Sequence, residues 1–200
     1  FDRVISANAS FRKYWLLHVL EEPQLKGVSA AVDRTEHGSS GRLNLDVLLP
    51  VAQNVEVSKV GGPGKEFWVF GQNYPNEVEA GRLERGSMEP GAWRLEVSPK
   101  SAAAEDLFLN VMQVTDRNST NRWPVQRLDA DDRVGCTLEG PEAAWAVLLR
   151  KDSIRSELPV QFTVAGAAPF RFLINDLAPG RWQARRNGDT EVRAIQVPDD

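Results

Sequence analysis

Cysteine and histidine are almost absent from this sequence of 200 residues. It has one cysteine and two histidines, so it can form neither an internal disulfide nor a zinc site made of several thiolates. Cys136 stands in the apolar segment 134–138, where a thiol is expected to be buried and inert. Neither His18 nor His37, which looks like an exposed loop residue, sits in a nucleophile motif, so no Ser-His-Asp or Cys-His set can be assembled.

Long apolar runs and blocks of one charge are missing as well. No stretch approaches the roughly 18 apolar residues of a membrane span. The 24 basic and 28 acidic side chains leave a formal net charge of −4, and the densest basic stretches, 12–13 and 185–186, are too short to displace counterions from a polyanion. The sequence therefore predicts neither a membrane protein nor a nucleic-acid-binding protein.

Two motifs that resemble ligand sites fail on their context. The segment GGPGK at 61–65 lacks the Ser or Thr of a phosphate loop and is followed by a strand-like segment where a helix is needed. It therefore predicts a turn. Asp129, Asp131 and Asp132 lack the glycine and the downstream glutamate of a calcium loop, so they predict a solvated loop.

Short apolar segments, separated by clusters of Gly, Pro, Asn and Asp, predict an all-β fold. The eleven predicted strands are 43–49, 55–60, 66–70, 92–97, 107–115, 133–138, 144–149, 160–164, 170–174, 181–186 and 191–197. Eleven strands are enough for two packed sheets. The sequence predicts an antiparallel two-sheet sandwich, built as a single domain over residues 1–200 because no linker or repeat divides the chain.

Turn residues divide these strands at four places, 61–64, 89–91, 179–180 and 187–189. The last of them predicts an antiparallel hairpin at the end of the chain. A proline and three alanines within 98–106 are the only cue for a helix, and they predict a single turn.

The run from Tyr14 to Leu20 fits either a helical face or a strand that is buried on both sides, and the strand is favoured. On a strand Tyr14 and His18 would lie about 13 Å apart, too far to act as a concerted acid and base. The helical alternative alone would bring them together.

Six tryptophans raise the question of sugar stacking. Trp68 and Trp93 alternate with apolar residues on predicted strands and are expected to pack in the core. Trp123, in the segment 121–124, is the better surface residue. It is the predicted substrate-binding residue.

Several motifs resemble, in order, the second half of the heparinase II/III-like family of polysaccharide lyases. They are FDRV at 1–4, FRKYWLLH at 11–18, EP at 22–23, GRL at 41–43, LLP at 48–50, VGGPGKEFWV at 60–69, WRLEVSP at 93–99, DLFLNVMQV at 106–114 and, more loosely, LAPGRW at 177–182. The resemblance covers most of residues 1–114.

The resemblance implies an upstream α/α toroid that carries most catalytic residues and antiparallel sheets that complete the cleft. Such lyases cleave uronate-containing polysaccharides by β-elimination, and the motifs for proton abstraction and carboxylate neutralisation would precede Phe1. This chain is then expected to hold no catalytic residue and to be the non-catalytic C-terminal part of a longer, secreted or periplasmic protein. A free-standing carbohydrate-binding module is the alternative.

His18 closes the FRKYWLLH motif. The resemblance implies that this histidine, as in several family members, binds a structural zinc together with a His and an Asp further upstream. We expect His18 to face inward and to contribute one zinc ligand in the full-length protein. No cofactor is expected in this chain alone, because one imidazole cannot hold zinc.

Overall fold

The computed structural model describes residues 1–74, 92–165, 169–187 and 190–199. Strands dominate these residues, and one 3-10 turn, Ala52–Asn54, is the single helical element in them. The all-β prediction is therefore confirmed. No helix of the described residues is long and apolar enough to cross a membrane.

The chain divides into two compact units, Phe1–Val125 and Gln126–Asp200. The single-domain prediction remains a prediction, which a calorimetric count of the unfolding transitions can test. Each unit has its own sheets and its own cluster of buried apolar residues.

Unit 1 holds ten described strands. They are β1 (Asp2–Ile5), β2 (Trp15–Val19), β3 (Gln24–Lys26), β4 (Ser29–Glu36), β5 (Ser39–Leu49), β6 (Val55–Gly61), β7 (Trp68–Val69), β8 (Gln72–Asn73), β9 (Trp93–Pro99) and β10 (Glu105–Asp116). They form a five-stranded sheet in the order β1-β10-β5-β4-β3, a three-stranded sheet in the order β2-β9-β6, and the hairpin β7-β8.

One apolar core joins the two larger sheets of unit 1. Leu45 and Phe108 come from the five-stranded sheet, and Leu95 and Val97 come from the three-stranded sheet. Because side chains of both sheets meet in this core, the sheets pack face to face as a sandwich. Burial of each such side chain contributes about 1.5–3 kcal/mol.

The β2 strand confirms the prediction for residues 14–20 but corrects its burial. Trp15 and Leu17 pack against the core, while Leu16 and His18 are exposed on the opposite face. The expectation of a strand buried on both sides is wrong, because the three-stranded sheet covers the core with one face.

Unit 2 contains a four-stranded sheet and a terminal pair. The strands are β11 (Val125–Ala130), which begins at the unit boundary, β12 (Arg133–Glu139), β13 (Ala144–Arg150), β14 (Phe170–Ile174), β15 (Gly180–Ala184) and β16 (Arg193–Val197). The sheet order is β11-β12-β13-β14. β13 and β14 run parallel, so the prediction of uniformly antiparallel strands is wrong at this pair.

The predicted strand 160–164 is also wrong. Val160, Phe162 and Val164 pack against Leu128, Ala146 and Leu148, yet residues 160–164 take part in no strand pairing. The alternating apolar pattern therefore reflects packing of an extended segment on the sheet and not a hydrogen-bonded ladder.

Only some of the predicted turns and short elements form. The turn at 61–64 forms, with the Lys65 amide donating to the Gly62 carbonyl oxygen over 2.9 Å. β15 and β16 pair antiparallel as predicted. The turn 89–91 and residues 188–189 of the last predicted turn lie outside the described residues. The predicted helical turn at 98–106 does not form. The predicted strand 66–70 shortens to β7 because residues 66–67 and 70 lie in turns.

Candidate functional site

The exposed face of the three-stranded sheet is the candidate functional surface of unit 1, and we call it the outer face. It consists of Leu16 and His18 on β2, Glu56, Ser58 and Val60 on β6, and Arg94 and Glu96 on β9. These residues share a face because side chains two apart on a strand point the same way. The alternate residues of the same strands cover the core.

His18 lies at one end of a cross-strand row whose central residue is Arg94. It stands opposite Arg94, which in turn stands opposite Val60. The Arg94 guanidinium lies 2.7 Å from the Glu96 carboxylate and donates to the Trp68 carbonyl oxygen over 3.0 Å. His18 is exposed, so the expectation that it faces inward is wrong.

A second cluster borders the outer face where β2 begins. The Arg12 side chain pairs with the Glu56 carboxylate and donates to the Ser98 hydroxyl over 3.0 Å. Its guanidinium carbon lies 5.0 Å from the centre of the Tyr14 ring. Because Tyr14 and His18 belong to one extended segment, they cannot act together as acid and base.

The same end of unit 1 holds a buried ion pair. The Lys13 ammonium lies 2.8 Å from the Asp106 carboxylate and donates to the Ala103 carbonyl oxygen over 2.5 Å. Both charged side chains are almost fully buried. This pair joins the segment before β2 to β10, and it leaves Lys13 no free charge for a ligand.

The hairpin β7-β8 stands beside the outer face, since Arg94 binds the Trp68 carbonyl. The Lys65 ammonium lies 5.2 Å from the centre of the Trp68 ring, and Lys59 lies 5.5 Å from that of Trp93. Both tryptophans are half-buried. The prediction that they are core residues thus holds only in part.

Trp123 lies on a loop that is fastened to the five-stranded sheet. The Gln113 side-chain amide donates to the Trp123 carbonyl oxygen and accepts from the Trp123 amide, each over 3.0 Å. The neighbouring Arg122 pairs with Asp46. Trp123 is half-buried, and its use as a sugar-stacking residue remains a prediction.

The zinc hypothesis can be tested against the side chains around His18. Nowhere in the described part of the chain do three His, Cys, Asp or Glu side chains come together as metal ligands. His37 is exposed and its imidazole lies 3.4 Å from the Glu36 carboxylate. The residues described do not make a complete zinc site, and we derive no chemical step through a metal.

The acidic loop before β12 is used for ion pairing. The Asp132 carboxylate lies 2.7 Å from the Arg150 guanidinium, which also holds Asp152 at 2.6 Å. The Arg150 hydrogen bonds lower the pKa of Asp152. Asp132 therefore has a structural partner. Asp129 pairs with Arg127 over 2.7 Å and lies on β11, so its prediction as a loop residue is wrong.

Unit 2 also buries one arginine and one thiol. Arg133 is fully buried, and burial lowers its pKa. Cys136 is buried as predicted, and desolvation raises the pKa of its thiol, which keeps it protonated and unreactive.

Sequence reasoning missed one residue of the outer face and one residue of the neighbouring hairpin β7-β8. Arg94 was not singled out, although its place opposite His18 follows once β2 and β9 are paired in register. Phe70 was assigned to a strand, although the glycine that follows it was a turn signal.

Residues 127–200 match the family model of the heparinase II C-terminal domain. This segment is unit 2 without its first residue. No curated protein matches the chain. The family match confirms the resemblance to a heparinase II/III-like C-terminal portion, and it falls on unit 2, whereas the motifs quoted above lie mainly in unit 1.

Proposed function

We propose that this chain is the non-catalytic C-terminal β portion of a heparinase II/III-like polysaccharide lyase, and that its outer face supports and completes the substrate cleft. The family match over residues 127–200 supports the assignment. The observation that carries the cleft role is the outer face itself, a three-stranded surface that presents His18, Leu16 and the Arg94–Glu96 pair beside a tryptophan-bearing hairpin.

The chemistry of the outer face favours positioning over catalysis. A β-elimination needs a base beside the carbon acid and a cation or amide at the carboxylate. The Arg94 guanidinium is already engaged by the Glu96 carboxylate and the Trp68 carbonyl oxygen. The proton-abstracting and carboxylate-neutralising groups would therefore come from an upstream helical domain, and the substrate would be a uronate-containing polysaccharide.

The first experiment compares the isolated chain with the intact protein that contains it. We expect the isolated chain to give no unsaturated-uronate absorbance with alginate or glucuronate-containing glycans, and the intact protein to give it with one of them. In the intact protein, Leu16→Glu places a negative charge on the outer face. It should raise KM about fivefold at unchanged kcat, because about 1 kcal/mol of repulsion acts on substrate binding.

Val114→Glu is the matched control, because Val114 is also an exposed strand residue of unit 1 but lies on β10. It should leave KM unchanged. Equal effects of the two variants would contradict the cleft role of the outer face. Absorbance produced by the isolated chain and abolished by Tyr14→Phe would contradict the non-catalytic assignment.

Zinc binding through His18 gives a separate prediction. Structural zinc is almost always four-coordinate, and His18 is a single ligand, so upstream ligands are required. After dialysis the intact protein should retain about one zinc per chain, and it should lose thermal stability on His18→Ala or on chelation. The isolated chain should retain no zinc and should not lose thermal stability on either treatment. A well-folded, zinc-free intact protein would reduce His18 to a surface histidine, and tight stoichiometric zinc in the isolated chain would show that other ligands exist.

A free-standing carbohydrate-binding module is the second candidate. The observation that favours it is that Gln113 and the Arg122–Asp46 pair bind the Trp123 loop to the five-stranded sheet, which fixes the backbone that carries the Trp123 side chain before any ligand binds. Glycan binding by the isolated chain that depends on Trp123, together with normal turnover of the intact protein in variants of the outer face, would favour this function.

A further inference from the structure

Phe70 occupies an unusual position at the tip of the hairpin β7-β8. Val69 pairs with Gln72, so Phe70 and Gly71 are the two loop residues, and both have positive φ angles, 48° and 84°. Positive φ at both loop residues defines a type I′ turn, whose first position strongly prefers Asn or Asp. A bulky aromatic residue is disfavoured there because its Cβ crowds the backbone.

Another two-residue hairpin of unit 1 provides a comparison. His37 and Gly38 join β4 to β5 and also have positive φ angles, 49° and 80°. Histidine is several-fold enriched in this conformation. The β4-β5 hairpin therefore follows the turn preferences, and the β7-β8 hairpin departs from them at Phe70.

Packing does not explain why phenylalanine stands at this tip. The Phe70 side chain is 97% exposed, more than any other large apolar side chain in the described residues. A strained backbone position that is compensated by no contact with the described residues is typical of a functional site. The ring is held out from the protein by a short hairpin with a defined backbone.

The surroundings of the hairpin indicate which class of ligand the Phe70 ring binds. Lys65 covers the Trp68 ring at the base of the same hairpin, and the Trp68 carbonyl is bound by Arg94 of the outer face. An aromatic ring at the tip, a cation at the base and a connection to the outer face fit a chain of anionic pyranose rings, because sugar rings stack on aromatic faces and carboxylates attract the lysine.

We propose that Phe70 is a glycan-stacking residue that binds one sugar ring of an anionic polysaccharide next to the outer face, with Lys65 attracting its carboxylates. The class of ligand rests on the proposed function. The turn geometry and the exposure of the ring are independent of it.

The test measures binding and stability in the same variants of the chain. Affinity electrophoresis with alginate, heparan sulfate and neutral dextran reports binding. Phe70→Asn should raise Tm by about 2–4 °C, because asparagine suits the type I′ turn, and should weaken binding of an anionic glycan about fivefold. A merely structural residue would not gain stability while losing binding.

Further variants separate stacking from other contacts. Phe70→Trp should keep the affinity, and Phe70→Leu, which is apolar but not flat, should lose it. Lys65→Gln should weaken binding of alginate at low salt and reduce its salt dependence. Val114→Asn, which replaces an exposed apolar residue on β10, should change nothing.

Three outcomes would overturn the inference. The first is unchanged affinity in Phe70→Asn. The second is full affinity in Phe70→Leu, which would indicate a general apolar contact with a protein partner. The third is that neither anionic glycan retards the unaltered chain. None of them contradicts the cleft role, because that role is measured through Leu16→Glu in the intact protein.

Discussion

Arg133→Ala is expected to lower the free energy of unfolding of unit 2 by about 3 kcal/mol. Arg133 is fully buried, and its guanidinium donates to the carbonyl oxygen and the side-chain oxygen of Asn175 and, over 3.3 Å, to the carbonyl oxygen of Asp176. Alanine would remove the donor to the Asn175 carbonyl oxygen and would create a cavity. The Asn175 side-chain oxygen and the Asp176 carbonyl oxygen would each keep one donor, the amides of Arg150 and Ser156. Urea denaturation of the variant measures the loss.

The buried charge itself works against this stabilisation. Burial lowers the Arg133 pKa, which means that the protein surroundings disfavour the charged form. Arg133→Met fills much of the same volume without a charge, so we expect it to cost less than Arg133→Ala. An equal cost of both variants would show that the hydrogen bonds to residues 175–176 dominate and that cavity volume contributes little.

Arg127→Ala is the control for this prediction. Arg127 also lies in unit 2 and pairs with Asp129 over 2.7 Å, but both side chains are exposed. Exposed ion pairs contribute about 0–1 kcal/mol. A loss below 1 kcal/mol in Arg133→Ala would contradict the structural role assigned to the buried arginine.

The alternation of apolar residues predicted the three-stranded sheet of unit 1 well, because the side chains that alternate along β2, β6 and β9 are those that fill the core. In the five-stranded sheet it missed β1, β3 and β4. The β4 sequence SAAVDRTE has few large apolar residues. That strand is held partly by a cross-strand ion pair in which Arg42 binds Asp33 over 2.5 Å. This hydrogen bond lowers the pKa of Asp33. The periodicity of apolar residues does not predict such an ion pair.

The direction of a strand relative to its neighbour could not be predicted from the sequence. A period of two residues is the same for parallel and antiparallel neighbours, so the pattern at 170–174 predicted β14 but not that it runs parallel to β13. The candidate surface was predictable only in part for a similar reason. The motif pointed to His18, but the pairing with Arg94 required the register of β2 and β9.

Gly135→Ala is expected to destabilise unit 2 by about 3 kcal/mol or more. Gly135 lies on β12, opposite Leu148 of β13. A Cβ atom added there would lie 1.6 Å from the Val147 carbonyl oxygen and 3.1 Å from the Leu148 Cα atom. These are backbone atoms at the centre of the four-stranded sheet, so they cannot rotate away as a side chain would, and the pair of strands must separate to admit the methyl group.

Gly41→Ala provides the matched control. Gly41 is also a strand glycine, on β5, but an added Cβ would meet only the Thr115 carbonyl oxygen at 3.8 Å, an ordinary contact. Alanine restricts the unfolded chain more than glycine does, so this variant should gain about 0.4–1 kcal/mol. Denaturant titration of both variants decides the matter: a Gly135→Ala protein as stable as the parent would show that β12 and β13 do not pair in the register Gly135 to Leu148, and the assignment of the sheet in unit 2 would fail with it.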